Sequence, residues 1–194
     1  MKAVVITVCV VAGLLAAVNC RADETRDASL CIGVKMCKMC HKSEKSGDQF
    51  SKWEAGPHAK AYAALAGEAA KAAGAKLGVD NPQASGKCLQ CHSTAYNWTE
   101  TKQTDTIAVE EGVSCESCHG PGKNYKSMEM MKSRDECCKN GMIYPASKSC
   151  ERCHNDKGPT WNPEAYTTKD GKKVGFDFEQ AFKKIEHLDP NVKK

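Results

Sequence analysis

The chain has 194 residues, enough for one ordinary domain or two small ones, and carries 28 Lys and Arg against 24 Asp and Glu. Aromatic residues make up only 6% of it, and its aliphatic content beyond the first 22 residues is modest and alanine-heavy. Such a chain cannot easily bury enough apolar surface to offset backbone entropy, so either part of it is disordered or something else supplies the core. The formal charge of +4 is no argument for nucleic acid, because no basic stripe interleaved with aromatics runs along the sequence.

In chain order, residues 1–22 read as a signal peptide. Lys2 supplies the positive start, Val4 to Val18 an uncharged apolar run, and Cys20 and Ala22 the small residues of a cleavage site. An apolar run of about 15 residues is short for a membrane span, so cleavage is preferred over an uncleaved anchor. A lipid-modified Cys20 is disfavoured by Asn19 before it. Cleavage removes Lys2 and Arg21 and no acid, leaving 26 basic against 24 acidic residues in a single domain, 23–194.

Residues 23–36 form a charged lead-in to the first of four copies of one pattern, Cys37, Cys40 and His41 in CKMCH. Trp53 to His58 then leads into an alanine-rich stretch, 59–77, whose helix propensity is weakened by Gly67 and Gly74. A turn-like segment, 81–86, precedes the second copy, Cys88, Cys91 and His92 in CLQCH. Residues 99–109 alternate threonine with other residues and suggest a short strand or hairpin. The third copy, Cys115, Cys118 and His119 in CESCH, runs into Gly120-Pro121-Gly122, which breaks any helix. Residues 127–139 predict a helix before the fourth copy, Cys150, Cys153 and His154 in CERCH. A Pro/Gly/Thr-rich loop, 159–175, follows. Asp177 then caps a helix running to about Leu188, with Phe178, Phe182 and Ile185 on one face.

C-x-x-C-H is the attachment signature of c-type haem. Two thiols add across the porphyrin vinyl groups, and the next residue places an imidazole under the iron. A single C-x-x-C is often half of a zinc site or a redox dithiol. Four copies, each followed at once by one of only six histidines, favour haem over both. The expectation is four covalently bound c-type haems, with His41, His92, His119 and His154 as proximal iron ligands. Motif starts lie 51, 27 and 35 residues apart, too uneven for a strict repeat but short enough to pack the haems together. The expected fold is mainly α with little sheet, a compact multihaem cytochrome whose core is built around its cofactors. With two propionates per haem, the holoprotein is expected to be near neutral to acidic.

Two histidines remain, His58 and His187, so four irons cannot all take a second histidine. A lone histidine is usually a surface or satisfied side chain. Here open irons lie near and both residues fall on predicted helices, which makes His58 and His187 candidate distal ligands. The other irons are left to Met, Lys, Cys, Tyr or nothing, with Met142 the least weak methionine and core filling the ordinary role of the rest. Cys31, Cys137 and Cys138 are left over; the bland expectation is a disulfide from Cys31 to Cys137 or Cys138 and one spare thiol, either free or ligating an iron.

At Gly112 to Tyr125 (GVSCESCHGPGKNY), Trp53 to Ala61 (WEAGPHAKA) and Phe176 to His187, the chain resembles the cytochrome c-554 family, tetrahaem periplasmic proteins of ammonia-oxidising bacteria. The resemblance implies a mainly helical monomer with closely stacked haem pairs, distal roles for His58 and His187, and electron transfer, in the family from hydroxylamine oxidoreductase. It also implies one iron without a sixth protein ligand, where reaction with nitric oxide has been proposed. The family's further distal histidine shortly before the fourth motif has no counterpart in Gly141 to Pro145, so a second iron is open or otherwise ligated. The loop Pro159 to Glu164 resembles the family segment beside the open haem and makes Trp161 a candidate pocket wall.

The leading expectation is therefore a periplasmic electron carrier between redox proteins, with a hydroxylamine oxidoreductase-like donor or a quinone-linked cytochrome as partner and peripheral contact with a membrane allowed. The alternative is an enzyme acting on a nitrogen oxide such as nitric oxide or hydroxylamine at a five-coordinate haem. Against it stands the lack of an obvious proton-delivery constellation. Sensing by a ligand-binding haem is a third reading. A filament in which neighbouring chains donate histidines fails on counting, since every copy has the same two spares.

Overall fold

Short segments between haem motifs allow only short helices, and the computed structural model is built from them. It describes residue 20, residues 26–96, residue 98 and residues 106–187. Apart from Cys20, the signal segment 1–22 lies outside the described residues. The fold is mainly α. In chain order the helices are α1 (Val34–His41), α2 (Gln49–Ala55), α3 (Ala61–Ala64), α4 (Glu68–Lys76), α5 (Gly86–His92), α6 (Cys115–His119), α7 (Arg134–Lys139), α8 (Ser147–Glu151) and α9 (Phe178–Ile185). One antiparallel ribbon, β1 (Tyr166–Thr167) with β2 (Lys173–Val174), is the sheet among the described residues; Tyr166 pairs with Val174.

Local chemistry sets the ends of these elements. Asp177 accepts from the Gln180 amide at 2.9 Å and starts α9, on which Phe178 and Phe182 stack at 5.2 Å. The helix stops at Ile185, so His187 lies beyond its end rather than on a helical face. The alanine-rich stretch is divided, because α3 ends before Leu65 and Gly67 turns extended at the start of α4. Gly74 stays inside α4, where a side chain would meet the Val79 carbonyl at 2.8 Å. His58 sits in the turn between α2 and α3 and not on a helix.

Two further expectations are corrected. The helix expected over 127–139 is broken at Ser133: a 3₁₀ turn, Met130–Lys132, precedes α7, and the Ser133 hydroxyl caps α7 by accepting from the Glu136 amide at 3.3 Å. The strand or hairpin expected over 99–109 is a turn into the 3₁₀ segment Val109–Glu111 where it is described; residues 99–105 lie outside the described residues.

The apolar core is thin. Its one cluster joins Ala28, Cys31, Ala95 and Ile107, with Trp98 packed on it. The largest fully buried side chain among the described residues is not apolar at all but Glu116. No helix of the described residues is long and apolar enough to cross a membrane.

Candidate haem centres

On an α-helix, residues three and four apart share a face. C-x-x-C-H on one helical turn therefore gathers two thiols and an imidazole on one side. The first three motifs occupy α1, α5 and α6; the fourth begins on α8 with Cys150 and finishes in the turn after it. None of these eight thiols is in a disulfide.

Three of the motif imidazoles are oriented through Nδ1. His92 Nδ1 meets the Ala61 carbonyl at 2.8 Å, His119 Nδ1 the Ile143 carbonyl at 3.3 Å, and His41 Nδ1 the Gln49 side-chain oxygen at 3.3 Å. A carbonyl oxygen only accepts, so Nδ1 carries the proton and Nε2 keeps its lone pair. Outer partners fix metal-bound histidines in this way.

The structure brings both spare histidines to motif histidines. His58 faces His154 with ring centres 6.1 Å apart, and His187 faces His119 at 5.7 Å. Two iron–imidazole bonds of about 2 Å each, with each ring centre about 1 Å behind its nitrogen, place ring centres about 6 Å apart. The ring-centre separations of both pairs are close to that spacing. Burial, and then its facing histidine, lowers the pKa of His58; the same two causes bring His119 down to about 4, and burial lowers His154. Buried imidazoles held neutral are the form that binds metal. His41 and His92 are left without a second histidine, since the six in the chain are then all placed.

His58 is held by the strap that leads into the third motif. Its carbonyl accepts from the Val113 amide at 3.0 Å, and the Val113 carbonyl accepts from the Trp53 indole at 2.9 Å. Gly112 has φ 65°, and a side chain there would meet the His58 carbonyl at 2.8 Å. Phe176 stacks on His154 at 5.4 Å, beside a shallow cleft open to solvent that Trp161 also lines. Trp161 thus lines an open cleft, at a motif whose histidine is already paired with His58.

The attachment sites touch out of chain order. The thiol of Cys37 lies beside that of Cys115, and that of Cys91 beside that of Cys153. The first motif therefore meets the third and the second meets the fourth. Cys118, its pKa pushed up to about 11 by burial first and then by Cys150, links the third to the fourth. Glu116 fastens the first contact. Only 2% exposed, its carboxylate accepts from the amides of Ile32 at 3.0 Å, Gly33 at 2.9 Å and Gly122 at 2.7 Å, so an anion of α6 sits at the N-terminus of α1. Glu116 fills a variable position of its motif, and no spacing rule singles it out.

The leftover cysteines depart from expectation. Cys138 lies against Cys20, inside the segment expected to be removed, which leaves it the spare thiol of the mature chain, while Cys31 and Cys137 are buried thiols and not bonded to each other. Cys31 packs with Ala28, Ala95 and Ile107, and the Cys137 thiol donates to the Met130 carbonyl at 3.2 Å, so each is satisfied locally. The segment carrying Met142 is fixed against His119, whose carbonyl accepts from the Ile143 amide at 2.8 Å.

Four C-x-x-C-H motifs, three on short helices and the fourth running from α8 into the turn after it, arranged around a thin core, are the arrangement of a c-type cytochrome, an electron-carrying protein with covalently held haem iron. A family model described as cytochrome c554 and c-prime matches residues 36–120. Cytochrome c-554 of Nitrosomonas europaea is 27% identical over 187 residues, which cover 83% of this chain and 75% of that protein. The C-type polyheme cytochrome OmcC of Geobacter sulfurreducens is 27% identical over 122 residues, 43% of this chain but 16% of that much longer protein. No solved structure matches.

Proposed function

We propose that this cytochrome binds four c-type haems and passes electrons between redox proteins in the periplasm. Cys37 and Cys40, Cys88 and Cys91, Cys115 and Cys118, and Cys150 and Cys153 would form the thioethers, with His41, His92, His119 and His154 as proximal ligands. His187 would complete the iron site of the third motif and His58 that of the fourth. The observation that carries this reading is the two imidazole pairs, His58 with His154 and His187 with His119, with ring centres 6.1 and 5.7 Å apart. Bound haem supplies the one-electron ferric/ferrous couple, and two axial histidines suit it to electron transfer without substrate binding. The protein's part is to attach, to orient Nε2 through the Nδ1 bonds, and to bring the four attachment sites into contact. The signal-like segment 1–22 supports export, and a hydroxylamine oxidoreductase-like protein or a quinone-linked cytochrome is the proposed class of partner.

A second reading, reduction or oxidation of a small nitrogen oxide, is favoured by one observation: His41 and His92 have no second histidine. The intact mass of the purified holoprotein tests the haem count, which is expected to be four. Electron paramagnetic resonance of the oxidised protein is expected to show two bis-histidine low-spin signals. Their absence would overturn the ligand assignment. Carbon monoxide added to the reduced protein then separates the two readings. A Soret change at one or two haems favours small-molecule chemistry, and no change leaves electron transfer alone.

A further inference from the structure

Arg26 is the one buried cation among the described residues, 5% exposed, and haem attachment gives it no task. Its Nη1 donates to the carbonyls of Glu116, at 3.4 Å, and Ser117, both inside the third motif. Its guanidinium lies 4.9 Å from the centre of the Trp98 ring, and Arg152, inside the fourth motif, lies 6.0 Å from the same ring. Nε and Nη2 of Arg26 are buried without a hydrogen-bond partner. The one buried carboxylate among the described residues, Glu116, is turned instead to the amides of Ile32, Gly33 and Gly122. Burial first, and then Arg152, lowers the pKa of Arg26 to about 10, so it remains charged at neutral pH, within electrostatic reach of Cys118 and Cys153.

A desolvated charge with no counter-ion among the described residues is expensive to keep. Packing does not require one, since an apolar side chain would serve beside Trp98. What a fixed cation does at this place is electrostatic. Ferric haem carries one more positive charge than ferrous haem, and a nearby cation in a low-dielectric setting disfavours the ferric state.

We propose that Arg26, together with Arg152 on the same indole, raises the reduction potentials of the haems held by the third and fourth motifs. The inference rests on the four-haem reading above. Arg26 acts through the charge it holds beside the two attachment sites, not as a ligand.

The test is a potentiometric titration of the holoprotein in which the two bis-histidine low-spin signals are followed separately. Haem content is first checked by mass in each variant. A count below four in the wild-type protein would count against the four-haem reading and not against the tuning role. Arg26→Gln is expected to lower both low-spin potentials and to move the remaining haems less. Arg26→Lys, which keeps the charge, is expected to stay near the wild-type values. Arg152→Gln, at an exposed side chain that folding should tolerate, is expected to lower the fourth-motif haem more than the third. Unchanged potentials in Arg26→Gln, an equal shift at all four haems, or an Arg26→Lys shift as large as that of Arg26→Gln would overturn the proposal. If Arg26→Gln yields no mature protein, unchanged low-spin potentials in Arg152→Gln would overturn it alone.

Discussion

Two residues carry more of the architecture than their chemistry announces. Replacing Glu116 with Ala strands the Ile32, Gly33 and Gly122 amides, three buried donors that its carboxylate now satisfies. The expected cost is about 3 kcal/mol in guanidinium denaturation of the holoprotein. Glu116→Gln keeps one carbonyl acceptor and should lose less; equal stability of Ala and Gln variants would contradict the clamp. Gly112 needs both its positive φ and its missing side chain, because the His58 carbonyl lies 2.8 Å from where a Cβ would sit. Gly112→Ala should therefore destabilise by more than about 1 kcal/mol, and should raise the high-spin fraction of the fourth-motif haem as His58 is displaced. An unchanged low-spin spectrum would show that the strap does not position His58. At this scale the motif cysteines and histidines stand out in the sequence, because haem attachment demands fixed types at fixed spacing. Glu116 and Arg26 do not, since burial, which makes them matter, is a property of the fold and not of the local sequence.

Elements were read less well than residues, and for a physical reason. Propensity and capping rules located α4 and α9, including the Asp177 cap. They overextend both the alanine-rich stretch, where Gly67 costs backbone entropy and turns extended, and the 127–139 helix, where the Ser133 hydroxyl competes for a backbone amide and ends the run. The same overextension put His58 and His187 on helices. In fact a turn carries one, and the chain beyond a helix end carries the other. Residues off a helix can be aimed by the loop that holds them, and both rings end up facing motif histidines. Asp177→Ala should cost about 1 kcal/mol through the lost cap. If α9 positions His187, the same change should weaken the third-motif low-spin signal and leave the fourth-motif signal intact. Loss of both signals together would point to general unfolding instead.

At the scale of the molecule, the described residues hold little apolar interior of their own, with one small cluster and a glutamate as their largest fully buried side chain. Composition alone anticipated this shortage. The fold class followed from it, while the contact order of the motifs did not, because pairing across the chain leaves no periodic trace. The mature chain prepared without haem should accordingly show no cooperative thermal transition by circular dichroism. A sharp transition in the haem-free chain would refute the view that cofactors complete the core. The crossed pairing, first with third and second with fourth, also bears on how the molecule can be made and divided. A ribosome delivers the first motif long before its neighbour on α6, and the second before its neighbour beyond α8. Each early site must wait, half built, for a later stretch of chain. No cut between adjacent motifs yields a self-sufficient half, so this protein is one indivisible unit and not two smaller cytochromes joined end to end.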